Sequence, residues 1–292
     1  MRSGYIALIG RPNVGKSTLL NHLVGQKISI TSRKPQTTRH RILGIKTHPE
    51  GQAIYVDTPG LHGDEKKALN RYLNRTAKRS LSGVDLVVWV TDIPRWHGYD
   101  PIILSMLEKV AVPVLFVINK IDRVERKEEC LPFLKDVGNT YPFSSIVPVS
   151  ALQGTNLDVL ERNILAALPE AEPVFPDDQI SDRSERFFAA EIIREKLVRR
   201  LAKELPYEIT VEIEQFVDAE KLLRLHAIIW VDRESQKSIV IGKDGSVLKT
   251  IGQQARLDLE KLMGKKVYLE LWVKVKHGWS DNERALQSLG YD

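Results

Sequence analysis

The chain has 292 residues, 42% hydrophobic and 28% charged, an ordinary balance for a globular protein of one large or two smaller domains. Its single cysteine, Cys130, excludes a disulfide framework and a cysteine metal cluster, and no apolar run nears the ~20 residues a membrane-crossing helix needs. The N-terminal apolar segment is too short for a secretory signal, so a cytoplasmic protein is expected, and the net charge of +5 points to an anionic partner without naming one.

The first apolar run, residues 5–9, reads as a buried strand, and Gly10-Arg11-Pro12-Asn13-Val14-Gly15-Lys16-Ser17 follows it directly. The spacing is that of a phosphate-binding loop, and residues 17–24, from Ser17 and Thr18 onward, supply the helix such a loop opens. In this pattern the glycines let backbone N–H groups wrap phosphates, Lys16 neutralises the β and γ oxygens, and the Ser17 hydroxyl reaches Mg²⁺. The helix N-terminus adds favourable potential.

Gln36-Thr37-Thr38-Arg39 comes next, ahead of an antiparallel edge strand expected within residues 39–48. A threonine here can ligate Mg²⁺ only when a γ-phosphate is present, which makes the segment a switch. Thr38 is the first candidate and Thr37 the alternative. Residues 53–56 form the next strand and run into Asp57-Thr58-Pro59-Gly60-Leu61. A strand ending in Asp-x-x-Gly senses a γ-phosphate, with Asp57 holding Mg²⁺ directly or through water and the Gly60 N–H meeting the phosphate. Other such hydrolases place a water-orienting glutamine after the glycine. Leu61 can orient nothing, and the adjacent His62 reads as a polar surface residue.

A helix is expected over residues 66–81, with Leu69, Tyr72, Leu73 and Ala77 on one face. It is followed by a strand at 86–90, a helix at 101–110 and a strand at 112–118. That last strand ends in Asn119-Lys120-Ile121-Asp122. A carboxylate at Asp122 can accept from both N1–H and the exocyclic amine of guanine, whereas adenine offers no such pair of donors on that edge. After a strand at 146–149, Ser150 and Ala151 fit the backbone loop beside the guanine oxygen, and a helix spans 157–168. Strands alternating with helices give an α/β, doubly wound, mostly parallel sheet.

Residues 169–178 carry three prolines and four acids without periodicity, and the segment 171–183 reads as a linker between domains at 1–170 and 184–292. Beyond it the order changes to a helix over 186–205, strands at 208–214 and 222–231, a helix over 246–263 and a strand at 267–275, a smaller α+β domain. Ile241-Gly242-Lys243-Asp244-Gly245 is a Gly-x-x-Gly turn entering a helix, the feature with which a type 2 KH domain clamps single-stranded RNA. The KH core is expected over about residues 200–280. Residues 1–170 hold 23 Lys and Arg against 16 Asp and Glu, whereas 171–292 hold 20 against 22. The stretch 221–276, however, carries 12 against 6, and Arg224, Lys237, Lys249, Arg256, Lys274 and Lys276 are candidates to flank an RNA groove, with Ile241 and Ile251 read either as its apolar floor or, more safely, as plain core.

The phosphate loop, the segment ISITSRKPQTTRHRILGI, the YVDTPGLH stretch and the tail from SDRSERFFAAEIIREKL through VIGKDGSVLKTIG to LELWVKVKHGWSDNERALQSLGY resemble the Era family of bacterial GTPases end to end. The resemblance implies a GTP- and GDP-binding switch that hydrolyses GTP slowly, without a catalytic glutamine. It also implies binding of the 3′ end of 16S ribosomal RNA and assistance to 30S subunit assembly. Members also associate with the inner membrane, which here would be peripheral and charge-driven. In related GTPases an asparagine at the position of Asn13 helps hold K⁺ against the phosphates, so K⁺ joins Mg²⁺ among the expected cations. A GTPase of tRNA modification and a membrane-associated signalling GTPase are the alternatives.

Overall fold

The computed structural model describes the chain except residues 33, 35, 61–66, 93, 94, 99, 127, 129, 202–204 and 292. It forms two compact units. The first comprises Met1–Thr31, Thr38–Gly63 and Leu73–Asp182, and the second Ser32–Thr37, Asp64–Tyr72 and Arg183–Asp292.

The sheet of the first unit contains β1 (Arg2–Ile9), β2 (Ile42–His48), β3 (Gly51–Asp57), β4 (Leu86–Thr91), β5 (Val114–Ile118) and β6 (Ser145–Pro148). Its order is β2-β3-β1-β4-β5-β6, with every pairing parallel except β2 with β3. Between the strands run α1 (Lys16–Val24), α2 (Ala68–Arg79), α3 (Asp100–Leu107) and α4 (Cys130–Thr140), and α5 (Leu157–Ala167) follows β6. β3, β4 and β5 are buried at every position, which explains why they read as continuous apolar runs rather than alternating ones. Fully burying one such Val, Leu, Ile or Phe contributes about 1.5–3 kcal/mol. Trp89 anchors the layer, meeting the Phe116 ring edge-on with centroids 4.9 Å apart. Because β1, β3, β5 and β6 run in one direction, Gly10, Asp57, Asn119 and Ser150 emerge at one edge of the sheet, where ligands bind in open α/β folds.

Residues 171–182 do not hang free. Gln52, fully buried in β3, accepts from the Val174 and Phe175 N–H groups at 2.9 and 3.0 Å and donates to the Phe175 carbonyl at 2.8 Å. Farther on, Ile45 N–H donates to the Ile180 carbonyl, the Ser181 hydroxyl to the Leu43 carbonyl, and Leu43 N–H to Asp182 Oδ1 at 3.0 Å. The prolines prevent regular structure, but they leave the Val174 and Phe175 N–H groups free to donate to Gln52, and the Ile180 carbonyl and the Ser181 and Asp182 side chains free to pair with β2.

The second unit contains α6 (Glu185–Arg200), β7 (Ile209–Asp218), β8 (Leu222–Val231), α7 (Glu234–Ile241), α8 (Ser246–Met263), β9 (Lys266–Val275) and α9 (Glu283–Ser288). Its sheet runs β7-β8-β9, antiparallel then parallel. α6 stops at Arg200, short of the expected 205, and Leu205–Glu208 is a 3₁₀ turn. β7 continues four residues past the expected end, because a bulge between Ile213 and Gln215 puts Glu214 and Gln215 both outside and returns Phe216 to the core side. Within this unit the Thr37 carbonyl accepts from Arg194 Nη2 at 2.5 Å, and the same buried guanidinium holds Glu191 bidentately at 2.7 Å. Among the described residues no helix is long and apolar enough to cross a membrane.

Candidate functional site

The phosphate loop departs from β1 at Gly10 and enters α1 at Lys16. Gly15 has φ +101°, and a Cβ there would lie 2.3 Å from Asn119 Nδ2, so both backbone and space demand glycine. Lys16 is buried and folds over its own loop, donating to the Gly10 and Arg11 carbonyls at 2.8 and 2.9 Å. Burial lowers its pKa to about 8, against the opposing pull of Asp57. Gly60 stands against this loop, where a Cβ would lie 3.0 Å from Pro12, and Thr58 and Pro59 are buried behind it. Thr18 is half-buried in the first turn of α1.

Three oxygen-bearing side chains converge beside Lys16. Ser17 Oγ is 2.9 Å from Thr38 Oγ1 and donates to Asp57 Oδ2 at 3.0 Å, and the same Oδ2 accepts from Ser29 at 2.8 Å. Asp57 Oδ1 is buried and finds no hydrogen-bond partner among the described residues. Burial pushes the Asp57 carboxyl above the usual range, only partly offset by Lys16. A hard cation on Oδ1 would relieve that, and hydroxyl, hydroxyl and carboxylate oxygens are the donor set that suits Mg²⁺. Thr37 turns elsewhere, its hydroxyl 2.6 Å from Ser32 Oγ and donating to the Lys34 carbonyl at 2.6 Å.

The base-side loops are laced to the phosphate loop by Asn119. Its Nδ2 donates to the Val14 carbonyl at 2.9 Å, while its Oδ1 accepts from Lys120 N–H at 2.8 Å and from Ala151 N–H at 2.9 Å. Ser150 donates to Asp122 Oδ1 at 2.5 Å, which orients an exposed carboxylate. Lys120, at φ +62°, reaches back to the Asn13 carbonyl at 2.6 Å and to Asp92 Oδ2 at 3.0 Å. The Arg11 guanidinium turns to Asp92 at 2.9 Å and Asp100 at 3.5 Å, so Arg11 serves its loop through its carbonyl. Asn13 is exposed with φ +65°. Ser29 and Asp92 are the participants that sequence reasoning missed. Ser29 lies within the ISITSRKPQTTRHRILGI segment, but its residue type pointed to no role there, and the sole signal for Asp92 was a carboxylate one residue past a buried strand.

In the second unit, Gly242 closes α7 with φ +74°, and a Cβ there would lie 2.4 Å from Val247 Cγ2. Lys243 and Asp244 are exposed at the tip and Ile241 is half-buried behind it. From Gly245 a groove of about 560 Å³ follows α8 against β9, with Leu248, Gly252, Leu269 and Leu271 as apolar lining and Lys249, Gln253 and Arg256 as polar lining. Ile251 is fully buried core and not floor, because it lies on the inward face of α8 with Ala255 and Leu259. Strand alternation sends Arg224 and Lys274 to the sheet face opposite the core. Lys276 sits over the Trp230 ring, and Lys237 lies 4.0 Å from Glu234. Leu61 and His62 lie outside the described residues.

The 50S ribosome-binding GTPase family matches residues 5–120, and the KH domain family matches residues 204–280. The chain is 58% identical over 290 residues to GTPase Era of Pseudomonas aeruginosa, covering 99% of this chain and 95% of that protein. It is likewise 58% identical over 291 residues to GTPase Era of Azotobacter vinelandii, covering 100% and 97%. Two solved structures superpose with a TM-score of 0.96 at 42% identity, covering 100% of this chain and 99% of theirs. One is an Aquifex aeolicus Era variant bound to GDP and AlF₄⁻, and the other is Era in complex with MgGDPNP and nucleotides 1506–1542 of 16S ribosomal RNA.

Proposed function

The chain belongs to the Era family of GTPases, and from that premise we propose that it binds and hydrolyses GTP in its first unit and holds the 3′ end of 16S ribosomal RNA in its second, assisting assembly of the 30S subunit. The observation that carries this is the convergence of Lys16, Ser17, Thr38 and Asp57 with Asn119, Asp122 and Ser150 at one sheet edge, in a chain that also folds a KH groove.

In this reading the backbone from Gly10 to Ser17 and the N-terminus of α1 cradle the phosphates, and Lys16 carries charge to the β and γ oxygens. Ser17, Thr38 and Asp57 hold Mg²⁺, which supplies the positive charge that phosphoryl transfer develops against. Gly60 presents its N–H to the γ-phosphate, and Thr38 joins only when that phosphate is there. Asp122 reads guanine, with Ser150 and Ala151 beside the base oxygen. With Leu61 in the glutamine's place the intrinsic rate is slow, and Asn13 holds K⁺, which supplies the charge an arginine would otherwise bring. On the RNA side, Ile241, Gly242, Lys243, Asp244 and Gly245 clamp the backbone, Lys249 meets phosphate, and bases lie on Leu248, Leu269 and Leu271. The protein acts in the cytoplasm. Nucleotide state alters RNA affinity, since Thr38 follows directly on Thr37, whose carbonyl belongs to the second unit's hydrogen bonding.

The discriminating experiment replaces Asp122 with Asn. An amide donor at that position suits the second carbonyl of xanthine, so D122N is expected to abandon GTP for XTP while the full chain keeps its affinity for a 3′ 16S fragment. A variant still preferring GTP over XTP sinks the guanine assignment. A wild-type chain that binds the 3′ fragment no better than unrelated RNA sinks the RNA half.

A further inference from the structure

We propose that Asp92 is a positioning residue of the nucleotide site, bracing the phosphate loop and the base loop against each other by accepting from Arg11 and Lys120 at once. This rests on the guanine-nucleotide reading and deepens it. Each carboxylate oxygen has its own partner, with Oδ1 facing Arg11 Nη2 at 2.9 Å and Oδ2 facing Lys120 Nζ at 3.0 Å. All three side chains are largely withdrawn from water, with exposures of 22%, 14% and 20%. Without the carboxylate, two like charges would share this wall, and Arg11 would keep only long contacts, to Asp100 and to the Thr91 hydroxyl, each at 3.5 Å.

The brace fixes where Lys120 lies. Its ammonium is held at two points, by Asp92 just past the end of β4 and by the Asn13 carbonyl at 2.6 Å. Its stem therefore crosses the phosphate loop, with Cε 4.0 Å from where a Gly15 Cβ would stand. A purine held by Asp122 lies against that stem, and a side chain ordered beforehand loses less freedom when the ligand arrives. Burial opposes the charge on Asp92, yet Lys120 and Arg11 outweigh it and hold the carboxyl below its ordinary range, as expected of a permanently ionised brace. Since Lys120 meets the ring and not its substituents, the effect is indifferent to the exocyclic amine.

The test measures dissociation of fluorescent mant-GDP and mant-IDP from the full chain. Asp92→Asn is expected to speed release of both by the same factor, about tenfold for one charge-assisted hydrogen bond lost, and Asp92→Glu to recover part of it. Placed on Lys120→Met, Asp92→Asn is expected to add less than about twofold, because the two act as one unit. Unchanged release from a folded D92N, or full additivity with Lys120→Met, overturns the proposal and leaves Asp92 a fold-holding group. Should D92N not fold, Asp92→Ser and Asp92→Glu carry the same cycle, and absence of coupling in both overturns it equally. Wild-type protein that does not retain mant-GDP overturns the site reading itself.

Discussion

Asn119 and Val14, 105 positions apart in the chain, are joined by one hydrogen bond of 2.9 Å from the amide to the carbonyl. Because the Asn119 side chain also accepts from Ala151 and Lys120, this one group fixes three loops that sequence alone shows only as separate motifs.

Replacing Asn119 with Ala strands the Val14 carbonyl and the Ala151 N–H in a buried place, at about 1–3 kcal/mol each. GDP affinity is expected to fall at least about thirtyfold, the lower bound of those two costs. Titration calorimetry on N119A decides it, and a loss below threefold refutes the brace. Gly15→Ala should do comparable damage by collision with the same amide.

Lys16 gives a pH signature. Its folded pKa of about 8 lies below the ordinary 10.5, so the unfolded chain binds more protons between those values. Stability therefore rises with pH through that window, by no more than about 3 kcal/mol, and the burden of burying the charge is fully present below pH 8. Bound nucleotide favours the charged amine, so affinity should fall above pH 8 by up to about tenfold per pH unit. Lys16→Met should flatten the profile. A wild-type chain with equal affinity at pH 7 and pH 9.5 would show that Lys16 does not meet the phosphates.

For the RNA groove, Lys249→Ala should reduce the slope of log affinity against log salt by about 0.7, the effect of one phosphate contact on single-stranded RNA. Gly242→Ala, which forces Val247 aside, should weaken RNA binding far more than it alters GTP turnover. Filter binding across a salt series checks both, and identical slopes remove Lys249 from the interface.

Turnover should be faster in potassium than in sodium buffer, and Asn13→Ala should erase the difference. Equal rates in the two salts for wild-type protein dismiss the K⁺ assignment.

What the sequence disclosed was contiguous. Gly10–Ser17, Asp57–Gly60 and Asn119–Asp122 are short motifs, and the buried strands bearing them are aliphatic runs too long to be chance. What it concealed depends on partners far off in the chain. Asp92 acquires meaning only when Arg11 and Lys120 arrive beside it, and Ser29 only when Asp57 does. The far end of β7 was hidden because a bulge shifts the alternation by one residue. The extent of α4 was obscured by Pro132 and Gly138, although Cys130, Phe133 and Val137 keep helical spacing. The proline-rich segment looked like a tether because nothing local reveals that Gln52 waits for Val174 and Phe175.

That segment decides where the gene can be cut. A truncated GTPase fragment ending at residue 170 would bare the outer margin of β2 and strip Gln52 Oε1 of both its donors, inviting strand-to-strand clumping between molecules. One extended to Asp182 keeps its own selvedge and should stay monodisperse in size-exclusion chromatography.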